Sequence, residues 1–109
     1  MMDRAAVAAL KSRLRLPVMA GPMFIASTAD LVIAQCGAGI IGSMPALNPR
    51  STAALDEDVA RIAESVGDAP YAINLVAHAS NSRLQADLDV VLKYNVPIVV
   101  LALAANGDL

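Results

Sequence analysis

Aromatic side chains are nearly absent: they make up 3% of the 109 residues, with no Trp, two Tyr and one Phe. A core must therefore be built from Ala, Val, Leu, Ile and Met, and a stacking platform for single-stranded nucleic acid is excluded. The net charge of −2 offers no basic stripe to a phosphate backbone either, so nucleic acid is not an expected partner. The single cysteine, Cys36, rules out an internal disulfide and suits a reducing, cytoplasmic setting. Among small neighbours it reads as a packing side chain. The single histidine, His78, has neither a second Cys nor clustered carboxylates to complete a metal site. Charged residues are scarce at 17%, against 57% hydrophobic, well above the globular average.

That apolar excess raises two membrane readings, and the sequence answers each. Residues 31–49 carry no charge over a length that would span a bilayer. They also hold Gln35, Ser43, Asn48, three Gly and two Pro, which defeat a continuous lipid-facing helix. The basic start, with Arg4, Lys11, Arg13 and Arg15 against Asp3, imitates a signal peptide. But Val7, Leu10 and Leu14 form a helical stripe among those charges, and Pro17, Gly21 and Pro22 interrupt the apolar stretch behind them. The expectation is one soluble domain, or part of one.

What the chain does have is concentrated in residues 16–44, LPVMAGPMFIASTADLVIAQCGAGIIGSM. Leu16, Val18, Met19 and Ala20 read as a strand apolar on both faces, as in a parallel sheet covered on both sides. Gly21-Pro22 breaks it: Gly lets backbone approach a ligand, and Pro rigidifies the loop. Ser27 is the expected cap of the next helix, with Asp30 as a short capping-box partner. Gly37 and Gly39 end that helix and open the strand at Ile40-Ile41. A loop at the carboxyl end of a parallel strand is where open α/β sheets and β/α barrels keep their chemistry.

The alternation continues along the chain. A leading helix is expected over 3–14, strands near 16–20, 39–43, 71–76 and 97–103, and helices near 28–36, 52–66 and 82–94. Leu55, Val59, Ile62 and Val66 give the helix at 52–66 its apolar face, with Asp56, Glu57, Asp58 and Glu64 toward water. Gly67 suits its C-cap and Pro70 precedes the next strand. The helix at 82–94 shows Leu84, Leu88, Val91 and Leu92 on one face, and stops at Asn95 before Pro97. The result is an α/β chain, a parallel βαβαβαβ run with every helix on one side of the sheet. It amounts to the first half of a TIM-type β/α barrel, which needs eight such units. The sequence thus reads as a partial barrel domain over 1–109 that stops after the fourth strand. The opposite sheet face is then open. It should present Val, Ile and Ala side chains, and burying roughly 320 Å² of it would contribute about 8 kcal/mol. These residues alone are therefore expected to form a homodimer that closes two such faces, to aggregate, or to stay partly molten.

Four pieces together resemble the amino-terminal half of the nitronate monooxygenase family: LPVMAGPM, GAGIIGSM, YAINLVAHASNSRLQADL and VPIVVLALA. More distantly similar are flavin enoyl reductases of the FabK type. The resemblance implies a β/α barrel holding FMN at the carboxyl ends of its strands, and oxidation of an alkyl nitronate with dioxygen as second substrate. It implies that the loop Ala20-Gly21-Pro22-Met23 runs along the flavin, and that Asn74 hydrogen-bonds it. Read on its own, Asn74 lies in the apolar run 72–76, where an unpartnered amide would cost about 1–3 kcal/mol. A flavin, neighbouring backbone or water would each satisfy it. Met23 is either a cofactor contact or a loop-packing side chain. His78 follows on a loop, where it either reaches substrate or flavin or stands solvated. The family's catalytic histidine and phosphate-binding glycine loops belong to later strands, so no catalytic residue is assigned within 1–109 and little turnover is expected of these residues alone. The alternatives are a non-catalytic half-barrel homodimer and a fragment of a FabK-type reductase.

Overall fold

The computed structural model describes residues 3–103. Seven elements follow in order: α1 (Arg4–Ser12), α2 (Ala29–Gly37), β1 (Gly42–Pro45), α3 (Thr52–Val66), β2 (Tyr71–Val76), α4 (Leu84–Lys93) and β3 (Ile98–Ala102). Expectations about residues 104–109 lie outside the described part. No described helix is long and apolar enough to cross a membrane.

Three of the four described helices start where a side chain takes an orphan N–H. Asp3 accepts from the Ala6 N–H at 2.7 Å, and Ser51 accepts from that of Ala54 at 3.1 Å. For α2 the cap is Thr28, accepting from Leu31 N–H at 3.2 Å, not Ser27 as expected. Ser27 is instead buried, and its hydroxyl accepts the Met23 N–H at 2.8 Å. The two hydroxyls are adjacent in sequence, and the loop's geometry assigns one to the helix and the other to the loop. α4 has no side-chain cap at Arg83; Asn81 steadies the entry, accepting the Arg83 N–H at 3.1 Å and donating to the Val76 carbonyl at 2.8 Å. Gly67 (φ 62°) and Asn95 (φ 51°) turn the chain out of α3 and α4 in the left-handed region.

The sheet is parallel, in the order β1-β2-β3, with Met44 beside Ile73 and Ile73 beside Val99. The expected strand at 16–20 is reduced to a single parallel bridge, Met19 to Ile41. Its partners show why. Ile41 N–H donates to Val18 O at 3.0 Å and Ala20 N–H to Ile41 O at 2.9 Å, but Pro17 brings no donor on one side. On the other side Gln35 Oε1 takes the Ser43 N–H at 3.3 Å, and the Ser43 hydroxyl donates to the Ala20 carbonyl. Side chains thus end the ladder where a strand would continue it. Leu16, Val18 and Met19 are exposed, not covered on both faces as the sequence suggested.

Helices α2, α3 and α4 do lie on one side. Leu55, Val59 and Ile62 of α3 join Val32 and Cys36 of α2, Val90 and Val91 of α4, and Met44, Tyr71, Ile73 and Leu75 of the sheet in one core. The α4 stripe differs from expectation: Leu92 is 65% exposed, whereas Asp87 is fully buried. α3 and α4 are also joined at the surface, where the Tyr94 hydroxyl donates to Asp56 at 2.5 Å and Lys93 at 2.9 Å. These bonds, Tyr94 first, hold the Asp56 carboxyl below its usual range.

The opposite sheet face is in part the apolar one expected and in part polar. Over β1 and β2 it carries Ser43, Pro45, Ala72 and Asn74, all buried, and toward β3 the half-buried Val76, Ile98, Val100 and Ala102, the Val, Ile and Ala side chains expected of it. The exposed apolar residues of the sheet sit at its ends: Val18 and Met19 at one, Val99 and Leu101 at the other. Val99 and Leu101 share a face with Ile73 and Leu75, but among the described residues no helix covers them.

Candidate functional site

Three loops leave the carboxyl ends of the strands side by side: 20–28 after the bridged segment, 46–51 after β1 and 77–83 after β2. The six positions singled out in the sequence lie in or beside them.

Asn74 stands between Pro45 and Val100 in the register. Ile73 and Leu75 face the helices, so Asn74 is on the other face, with Ser43 and Ala72. It is 8% exposed, and its Nδ2 donates to the Val100 carbonyl at 3.0 Å. The backbone partner that the sequence left open is therefore present. Oδ1 is left without a protein donor among the described residues.

In the first loop, Ala20 is fixed on both sides, through Ile41 and through the Ser43 hydroxyl. Gly21 faces open space: a Cβ there would meet nothing within 4 Å. A ligand can approach the backbone closely at that point. Pro22 has no N–H to give. Met23 differs, because its backbone is already engaged: the N–H donates to Ser27 Oγ, and the carbonyl accepts from Ser27 N–H at 3.0 Å and Asn48 Nδ2 at 3.0 Å. What Met23 offers a ligand is its half-exposed side chain.

His78 is exposed on the third loop. Its Nδ1 lies 2.8 Å from Ser80 Oγ and accepts the Ser80 N–H at 3.1 Å. The tautomer that satisfies the Ser80 N–H leaves Nδ1 as acceptor and places the ring hydrogen on Nε2.

Two further groups were missed by the sequence reading. Asn48 holds the 20–28 loop from the neighbouring one. Arg83 donates to Pro49 O at 2.8 Å, Ala46 O at 3.0 Å and Asp87 Oδ1 at 3.2 Å, while Thr52 Oγ1 donates to the same carboxyl at 2.7 Å. The i,i+4 spacing of Arg83 and Asp87 was the available signal, but it ordinarily marks a solvated pair. Cys36 is the packing residue expected: it is buried, donates to Pro70 O at 3.5 Å, and burial pushes its thiol pKa up.

The donor set suits an uncharged, flat heterocycle better than an anion. Open backbone at Gly21, an amide oxygen at Asn74 and an imidazole at His78 are groups of the kind that contact a neutral ring. The nearby guanidinium of Arg83 is already spent on protein carbonyls and Asp87, so none of these residues supplies a phosphate clamp.

No family model matches the chain, and no curated protein matches it significantly. Solved structures do. FabK from Thermotoga maritima aligns with a TM-score of 0.73 and 22% identity, over 96% of this chain and 32% of that one. A point mutant of the same FabK aligns with a TM-score of 0.72 and 21% identity, over 97% of this chain and 34% of that one. The likeness establishes the fold: a parallel α/β unit that spans about a third of the FabK chain.

Proposed function

We propose that residues 1–109 form the first part of a β/α-barrel flavoprotein that binds FMN at the carboxyl ends of its strands. Ala20, Gly21, Pro22 and Met23 would line one edge of the ring, Asn74 would donate or accept at its polar edge, and His78 would present Nε2–H toward substrate. Bound there, FMN would supply the redox chemistry of nitronate oxidation by dioxygen. The chain's own contribution is orientation and exclusion of water. The observation that carries the reading is Asn74: a nearly buried amide with a free oxygen, on the helix-free face. The sequence resemblance and the likeness to FabK support it.

The test is an FMN titration followed by flavin fluorescence. The chain is expected to bind FMN, and Asn74→Ala to weaken binding about fivefold, the worth of one hydrogen bond near 1 kcal/mol. Unchanged affinity would reduce Asn74 to a structural amide serving Val100.

The fold likeness to FabK gives a second reading specific support, that of a FabK-type enoyl reductase. The two differ in electron donor, and since little turnover is expected of residues 1–109 alone, binding discriminates them. A nicotinamide cofactor that shifts the spectrum of the flavin-loaded chain favours the reductase, and a nitroalkane anion that does so favours nitronate oxidation.

We also propose that the chain pairs with a second copy. Among the described residues, β3 offers an unpaired edge beside the exposed Val99 and Leu101, and the 18–20 segment offers another beside Val18 and Met19. Such edges invite further strands, and two copies joined edge to edge bring eight strand segments together, the number whose side chains can fill a barrel. Light scattering should give twice the 11.2 kDa chain mass. A monodisperse monomer with well-protected β3 amides would refute this.

A further inference from the structure

Ile25 is 92% exposed and sits at φ 69°. A β-branched residue in that region is strained, and such strain persists only where the surroundings impose it. Nothing apolar holds Ile25, so its backbone must be held by polar contacts.

Asn48 supplies them. Its Oδ1 accepts the Ile25 N–H at 3.1 Å, and its Nδ2 donates to Met23 O at 3.0 Å and to Ser27 O at 2.8 Å. One half-buried amide thereby spans the whole turn, using both donors and its acceptor. Ser27 closes the turn from inside, through Met23 N–H and Met23 O. Asn48 is itself bracketed: Arg83 donates to Ala46 O and to Pro49 O, on either side of it. Arg83 is in turn tied to Asp87, which accepts from Thr52. A continuous polar chain thus runs from α4, through the 46–51 loop, to the turn at Met23–Ser27. Hydrophobic packing plays little part in it, since Met23, Phe24 and Ile25 are all exposed.

We propose that Asn48, braced by Arg83, is the positioning residue that sets the strained turn at Met23–Ser27, and with it the adjoining Gly21-Pro22 backbone offered to flavin. The flavin part rests on the proposed function above; the turn itself does not.

Asn48→Ala in the full chain tests this with two readouts. Amide exchange at Ile25 and Ser27 is expected to accelerate at least about tenfold on loss of three hydrogen bonds, with β2 amides unchanged. At saturating FMN, the visible band of the bound flavin should lose its wild-type shape, because the Gly21 backbone no longer meets the ring in one arrangement. Asn48→Asp serves if the alanine variant does not fold. It keeps the acceptor for Ile25 but sets a negative charge against the Met23 and Ser27 carbonyls, so exchange at Ser27 should still accelerate and the flavin band should still lose its shape. Unchanged exchange at Ile25 and Ser27 in both variants overturns the proposal. Accelerated exchange in a chain whose wild type binds no FMN supports the positioning role and overturns the flavin reading instead.

Discussion

Arg83→Ala is expected to lower the unfolding free energy by about 3–5 kcal/mol, the usual cost of leaving a buried charge without its partner. Asp87 is fully buried in α4, and Arg83 is its one counter-charge among the described contacts. Thr52 would remain as a donor, but the second carboxylate oxygen already has no partner. The same substitution strips the Ala46 and Pro49 carbonyls of their guanidinium donors. Arg83→Lys should recover only part of the loss, because an ammonium keeps the charge but not the planar fork that reaches three acceptors. Urea unfolding followed by circular dichroism reads the effect. A change below about 1 kcal/mol would mean that the pair behaves as a solvated surface bridge.

Gly42→Ala should be comparably damaging, at about 3 kcal/mol, the upper end of ordinary overpacking. Gly42 opens β1 directly beneath α2, where an added Cβ would lie 2.6 Å from the Val32 carbonyl oxygen, 3.0 Å from Val32 Cγ1 and 3.2 Å from Cys36 Sγ. A side chain could rotate away, but a helix carbonyl cannot. The helix would have to lift off the sheet, taking Val32 and Cys36 out of the core. Gly37→Ala is the control, since a Cβ there meets nothing within 4 Å. In a helix it should be neutral or stabilising by about 0.5–1 kcal/mol. Equal thermal midpoints for the two variants would show that α2 is not seated tightly on β1.

The helices were the most legible part of the fold, because their signals are local. α3 was read at its observed bounds, from Ser51 ahead of it, its 3.6-residue stripe and Gly67 behind it. β2 was read as observed, from an apolar run between Pro70 and the turn residues Ser80-Asn81. The first strand was read too generously. An apolar run signals burial, but pairing depends on which donors face the neighbouring edge, and Pro17, Gln35 and Ser43 decide that across the chain. Asn74 stood out because an amide in an apolar strand is conspicuous; Asn48 did not, because an amide beside Pro49 looks like any turn residue.

By itself, the sequence determined the α/β alternation, the side of the sheet that takes the helices and the loops that gather at one end, since these follow from periodicity, turn residues and the handedness of parallel crossovers. Only the tertiary structure decided which polar groups are buried and against whom. Asp87 belongs to a stripe that reads as apolar, Ser27 yields the helix cap to Thr28, and Asn48 grips a turn more than twenty positions away. Each of these depends on desolvation by segments distant in sequence. A charged or amide side chain carries the same local signal whether water or a folded neighbour will satisfy it.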